Sequence, residues 1–289
     1  MSVIPDGGLG ALPRRASRAP VRVEPRSGWQ PVDLAELWEY RDLLWILALR
    51  DVKVRYRQTV LGAAWAVLQP LLTMLVFSFF FGRLAGIPSD GVPYPLFSFC
   101  GLLPWQFFSN TLTQAGNSLV GSQNLISKVY FPRLAIPVST LLTSLLDLGI
   151  QFTVLLLLLA WHRTAPSPAI VALPLFLLLL LCSALGAGLW LSALNVEYRD
   201  VRHAIPFLAQ FWLFVTPVVY PSSLVGERWR WALGLNPMAG VVEGFRWALL
   251  PGAPLQGSLV AASVASSLLL LLTGLLYFRR MERSFADVV

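Results

Sequence analysis

Charge is the scarcest commodity in this chain. Asp, Glu, Lys and Arg make up 13% of its 289 residues, about half the share of an ordinary soluble domain. Lysine is almost missing. Lys53 and Lys128 follow Val52 and Ser127 rather than glycine, so no G-x-x-x-x-G-K-[ST] can be written and the chain does not hold ATP by a P-loop. The only cysteines, Cys100 and Cys182, both sit in apolar runs, which argues against a disulfide or a thiolate metal site. The only histidines, His162 and His203, are far apart and belong to no H-E-x-x-H. No pair of acids stands at a span end in a glycosyl-transfer arrangement. These absences weigh against an integral-membrane enzyme. A proton-coupled carrier would need more than one intramembrane ionisable group.

What is abundant is apolar surface, at 56% hydrophobic residues. The organising stretch is Asp51 to Pro70. Arg50, Lys53, Arg55 and Arg57 form a basic collar, and the run 59–82 that follows has no ionisable residue in 24 positions. At 1.5 Å per residue such a run crosses a hydrocarbon core of ~30 Å. Cations resist translocation, so the collar is expected in the cytoplasm. The net charge of +7 does not point to nucleic acid, because the cations stand at span ends rather than on a solvated face.

The chain divides into a Pro, Gly and Arg-rich segment, 1–30, an amphipathic segment, 31–58, and a transmembrane domain, 59–289. The first lacks a signal-peptide h-region and is expected to be a disordered cytoplasmic tail. Its arginines are either a plain flexible extension or a touch on anionic lipid. In the second, Asp33 is a candidate cap with Glu36 three residues on. Leu34, Leu37, Trp38, Leu44, Trp45 and Ala48 share one stripe, which predicts a helix lying along the cytoplasmic interface.

In the third, spans are expected at about 59–82, 94–119, 134–160, 169–194, 204–220 and 255–278. The predicted class is therefore an all-α integral membrane protein with six transmembrane helices and both termini in the cytoplasm. The stretch 221–254 is neither span nor plain loop. Its Asn236-Pro237 start, its Glu243/Arg246 pair and its Pro251-Gly252 stop predict short helices that dip into the outer leaflet and return. Assigned this way, 17 of the 22 Lys and Arg face the cytoplasm, in the direction of the positive-inside rule.

Three groups of residues carry candidate function. Asp147 is a carboxylate inside the third span, costing roughly 2.5–3.5 kcal/mol there. Thr140, Thr143, Ser144 and Gln151 share its face, so it reads as a structural clamp between spans rather than a proton relay. The loop 121–137 presents Lys128 and Arg133 with exposed Tyr130 and Phe131; these are either interface anchors or a docking knob for a soluble partner. The fifth span is crowded with aromatics, Phe207, Phe211 and Trp212 among them, and the first offers Trp65, Phe77 and Phe80. Such rings either stack on sugar faces in a passage or pack against lipid and neighbouring spans.

Several linked segments carry a resemblance: RYRQTVLGAAWAVLQP, KVYFPRLAIP, NVEYRDVRHAIPF and TPVVYP…LNPMAGVVEGFRW. In order and spacing, over about 31–289, the chain resembles the membrane subunit of type-2 ABC exporters. Within that group it resembles the polysaccharide and lipopolysaccharide O-antigen export permeases, with the teichoic-acid exporters close by. The resemblance implies a half-transporter in the bacterial inner membrane, made of two copies of this chain and two of a separate cytoplasmic ATPase. ATP and Mg would sit on that ATPase, and this chain would bind no cofactor. The substrate implied is a lipid-linked glycan; the alternatives are a small lipophilic compound, moved by the same architecture, or an assembly factor for a polymer synthase.

A channel formed largely by the first and fifth spans is also implied, which makes Trp65, Phe77, Phe207, Phe211 and Trp212 channel-lining candidates. The interface helix and first cytoplasmic loop are implied to dock on the ATPase, with Lys128, Tyr130, Phe131 and Arg133 as coupling candidates.

Overall fold

The computed structural model describes residues 34–57, 62–282 and Phe285, and every regular element among them is helical. The tail and the Asp33 cap lie outside the described residues. The elements are α1 (Leu34–Glu39), α2 (Arg41–Arg57), α3 (Gly62–Phe77), α4 (Tyr94–Gly121), α5 (Gln123–Ile126), α6 (Ala135–Trp161), α7 (Leu173–Glu197), α8 (Val201–Val215), α9 (Glu227–Leu233), α10 (Pro237–Leu249) and α11 (Gly257–Met281). A π-wound segment, Ser78–Leu84, extends α3, and a 3₁₀ turn, Pro168–Ala172, leads into α7.

Four stretches are long and apolar enough to cross a membrane: Ala64–Leu84, Ala135–Trp161, Pro168–Glu197 and Gly257–Met281. The chain is thus all-helical and built for a bilayer. α4 is long enough but carries Gln106, Ser109, Asn110, Thr113, Gln114 and Asn117. It can hold them because it is the central helix, packed against α6, α7, α10, α3 and α8. The Asn117 amide donates to Thr113 O at 2.8 Å and the Asn195 amide to Gly116 O at 2.8 Å. Polar groups at membrane depth persist only when such partners are internal.

Small residues set a close crossing of α7 and α11. A Cβ on Gly186 of α7 would stand 2.7 Å from Leu271 N, and one on Gly274 of α11 would stand 2.5 Å from Gly186 O. The two backbones therefore touch, as small residues permit in apolar surroundings. Ser183 and Ser267 bond across the same crossing at 2.9 Å.

Two expectations are corrected. The interface segment, expected as one helix, is two helices broken at Tyr40. Leu47 and Ala48 are buried, whereas Trp38 and Trp45 are 71% and 62% exposed. The reason is α6: α2 lays Ala48 toward it, with Thr143 Oγ1 donating to Ala48 O at 3.4 Å, and the tryptophans are on the outer side. The fifth helix also begins and ends earlier than 204–220. It stops at Val215 because Thr216, held extended at φ −87° and ψ 138°, precedes Pro217, and a residue before proline disfavours the helical region.

The helix ends gather into two polar regions. The ends of α4, α7 and α11 meet the start of α6 around Leu119, Val196, Phe278 and Ala135. This basic end also receives α2. The opposite end holds α9, α10 and the start of α4, and there the turn after α8 is tied to the α4 side by Tyr94 Oη donating to Val219 O at 2.7 Å and Ser223 Oγ donating to Asp90 at 2.9 Å.

Candidate functional site

At the basic end, α2 is fastened to the bundle through Asp147. The Arg55 guanidinium pairs with one oxygen of Asp147 and the Tyr56 hydroxyl donates to the other. Arg55 also donates to the Gln114 carbonyl of α4. Thr140, Thr143, Ser144, Asp147 and Gln151 are all buried, so the polar seam of α6 faces protein along its length. Burial, with the bond to Asp147, pushes the Tyr56 phenol up to about 12, so it stays a neutral donor at any ordinary pH. Asp147 lies twelve residues beyond the start of α6, and with Thr143 one turn earlier it gives α2 two points of attachment on that helix. Arg55 had looked from the sequence like a topological charge only. Its pairing with Asp147, 92 residues away, had no local signal.

The loop 121–134 splits the coupling candidates. Lys128 and Tyr130 face outward, Tyr130 at 67% exposure. Phe131, expected to be exposed, is 5% exposed. It belongs to the apolar cluster with Phe278 and Phe285, because Pro132 turns the chain back onto α11. Arg133 donates through its side chain to Glu282 O, and its backbone N–H reaches Glu282 Oε1 at 3.3 Å. Phe131 and Arg133 thus tie the loop to the end of α11, while Lys128, Val129 and Tyr130 form its outward tip.

The aromatic candidates also divide. Phe207 and Phe211 are exposed, and Phe214 joins them on the same face of α8. Trp212 points the other way. It meets Phe108 edge-on at 5.1 Å, and its Nε1 donates to Asn236 Oδ1 at 2.9 Å. Asn236 in turn caps α10 through Met238 N at 3.0 Å and donates to Thr216 Oγ1 at 2.8 Å. Trp212 therefore joins α8 to α10. On α3, Trp65 is 51% exposed, whereas Phe77 is partly buried and meets Phe81 edge-on at 5.4 Å. Phe79 and Phe80 carry the exposed face onward through the π segment. Both α3 and α8 pack against α4.

At the opposite end a group that sequence reasoning underweighted holds the chain reversal after α8. Arg246 of α10 is 3% exposed. It donates to Pro217 O and Val218 O, each at 2.6 Å, lies 3.6 Å over the Phe97 ring and pairs with Glu243 at 3.8 Å. Glu243 accepts from Ser222 N at 3.3 Å. The i, i+3 spacing had suggested the pair, but not that it would be buried and bonded to a distant turn.

An all-helical body with long apolar spans, a polar core seam and no nucleotide motif has the make-up of a transporter's membrane subunit. The chain matches the model of the ABC-2 type transporter family over residues 42–250, and it belongs to that family. It is 31% identical over 257 residues to the O-antigen export system permease protein RfbA of Myxococcus xanthus, covering 88% of this chain and 98% of that one. It is 27% identical over 249 residues to an RfbA of Klebsiella pneumoniae, covering 86% and 95%. With the polysialic acid transport protein KpsM of Escherichia coli it shares 27% over 244 residues, covering 82% and 93%.

Proposed function

We propose that this chain is the permease subunit of an ATP-driven exporter that moves a lipid-linked polysaccharide across the bacterial inner membrane. The observation that carries this reading is the near full-length similarity to O-antigen and polysialic acid export proteins. The same similarity favours a glycan over a small lipophilic compound.

The working unit is two copies of this chain with two copies of a cytoplasmic ATPase, which binds the ATP and Mg. The chain itself does no catalysis. It crosses the membrane six times, using the four long apolar helices together with α4 and α8. α9 and α10 form the re-entrant pair, and the basic end with both termini lies in the cytoplasm. α8 has 15 residues, or ~22 Å of rise, so it crosses together with the extended turn 216–221.

Within this unit the exposed rings of α8 (Phe207, Phe211) and α3 (Trp65), with Phe77 at the edge of that face, line a path shared by two copies. Trp212 supports the path from behind. A sliding polymer needs many weak contacts, and uncharged ring faces supply them without holding any sugar tightly. Lys128 and Tyr130 contact the ATPase, and Phe131 and Arg133 stiffen the loop that presents them.

Deletion of the gene with identification of the surface glycan lost, and co-purification with the ATPase encoded beside it, test the reading together. Unchanged surface glycan and no ATPase partner would sink it. Accessibility tags at residues 10 and 289 should be silent from outside and one at Ser223 reactive; an outward C-terminus would overturn the six-span topology.

A further inference from the structure

Where α7 hands over to α8, the basic end opens into a cleft of about 440 Å³. That is within the roughly 300–1,000 Å³ of small-ligand sites. Asn195 forms a buried part of its lining, held by Gly116 O and Asn117. Arg199, Asp200, Arg202 and His203 form the rim, and Val120 and Gln123 close it from the α4–α5 side.

The charges on this rim are not spent. Elsewhere at the same end, Arg50 pairs with Asp51, Arg55 with Asp147 and Arg279 with Glu282. Among the described residues no carboxylate lies within ion-pair distance of Arg199 or Arg202. Asp200 sits between them in sequence and pairs with neither. Asp200 is also the first residue before α8 and makes no side-chain capping bond, so the positive end of a 15-residue helix adds to the field of the cleft.

The cleft leads onto an apolar face. His203, Phe207, Phe211 and Phe214 follow one another at i, i+4, i+8 and i+11 on the exposed side of α8, and residues so spaced share one stripe. A molecule with its anion in the cleft would lie with its next ~12 Å along Phe207 and Phe211.

We propose that this cleft binds the phosphate or diphosphate of the lipid-linked substrate. The inference rests on the export reading above and adds the point where the substrate's anion is held before the chain passes along α8. Arginine suits the task because its planar fork matches phosphate oxygens in pairs. Arg199 and Arg202 outnumber Asp200, and His203 adds a donor at the start of the stripe. A lipid-borne phosphate fits better than a free one, because the site adjoins exposed Phe207 and Leu208, against which an apolar chain can lie without meeting water.

The test is equilibrium binding of radiolabelled farnesyl diphosphate to the full chain in phosphatidylcholine nanodiscs. Arg199→Gln with Arg202→Gln should weaken binding at least tenfold. Arg199→Lys with Arg202→Lys should keep most of it, and a normal size-exclusion profile shows the variants are folded. Arg280→Gln removes another exposed cation from the same end and should leave binding unchanged. Inorganic pyrophosphate should compete weakly and farnesol not at all.

Wild-type affinity in the double Gln variant would overturn the proposal, and so would an equal loss in Arg280→Gln. Pyrophosphate competing as well as farnesyl diphosphate would make the ligand a free phosphate. Equal competition by phosphatidylglycerol would reduce the cleft to a general anionic-lipid contact. Loss of ATPase co-purification with farnesyl diphosphate binding intact would make it a docking surface for an acidic protein segment. No sugar and no ATPase are present in the binding assay, so it can fail while glycan loss on deletion still supports export.

Discussion

α8 and α10 are similar in length and only the short α9 separates them, and they invert the usual relation between polarity and burial. α10 carries Glu243 and Arg246, yet all its residues but Trp247 are buried. α8 has Phe207, Leu208, Phe211, Phe214 and Val215 exposed, and only Ile205 and Ala209 buried. In water the first arrangement would waste desolvation energy and the second would aggregate. In a bilayer, lipid is as apolar as leucine, so an exposed phenylalanine costs nothing, and a charge must find its partners inside protein. α10 is therefore a structural helix that spends its polar groups on anchoring the chain reversal 217–222. α8 keeps an uncommitted face, the one the proposed path uses.

The comparison can be broken most forcibly at Arg246. Arg246→Met leaves Glu243 buried without its cation and frees Pro217 O and Val218 O. Removing one partner of a buried pair costs about 3–5 kcal/mol, so the variant should show a large drop in thermal stability in detergent or fail to accumulate. A variant as stable as wild type would mean that the pair anchors nothing.

The latch at Asp147 should come next. Arg55 is 28% exposed in its side chain, so it can turn to solvent when Asp147 is replaced, and a smaller loss follows. A double-mutant cycle of Arg55→Gln and Asp147→Asn should give a coupling of about 1–3 kcal/mol. Additive effects would show that α2 is held by apolar contacts alone.

The two faces of α8 can then be set against each other. Trp212→Phe keeps a ring against Phe108 but removes the donor to Asn236, and a lost hydrogen bond that strands a partner costs about 1–3 kcal/mol. Phe207→Leu with Phe211→Leu should change stability by no more than about 0.5 kcal/mol while lowering surface glycan at normal expression. If the Trp212 variant is neutral, or the Phe pair is destabilising, the division between a packing face and a free face is wrong.

The smallest effect on stability is expected at Tyr130, two-thirds exposed at the loop tip. Tyr130→Ala should leave melting unchanged and weaken export-coupled ATP turnover. Phe131→Ala should do the reverse in order, lowering stability first, by about 3–5 kcal/mol for a buried ring. Equal behaviour of the two would contradict their opposite burial.

Much of this was legible without coordinates. Helix positions followed from apolar runs bounded by Pro, Gly and charge, because a bilayer demands length and forbids open backbone. The inward face of α6 followed from the spacing of Thr140, Ser144, Asp147 and Gln151, and the Asn236-Pro237 start of α10 from its cap chemistry. These are properties of one helix at a time, and a helical period records which residues share a face.

What a period does not record is which neighbour that face meets. Trp38, Trp45 and Ala48 share one apolar stripe, yet α6 covers Ala48 and leaves Trp38 and Trp45 outside. Phe131 and Tyr130 are adjacent aromatics on one loop, and only the return path through Pro132 to Phe278 decides that one is core and the other surface. Arg55 meeting Asp147, and Arg246 meeting the carbonyls after α8, depend on where distant segments arrive. By itself the sequence determined the long apolar helices, the polar seam and the basic end, since burial in lipid acts on each segment separately. Only the tertiary structure decided which charges are paired and which aromatics are free, since pairing and packing belong to two segments at once.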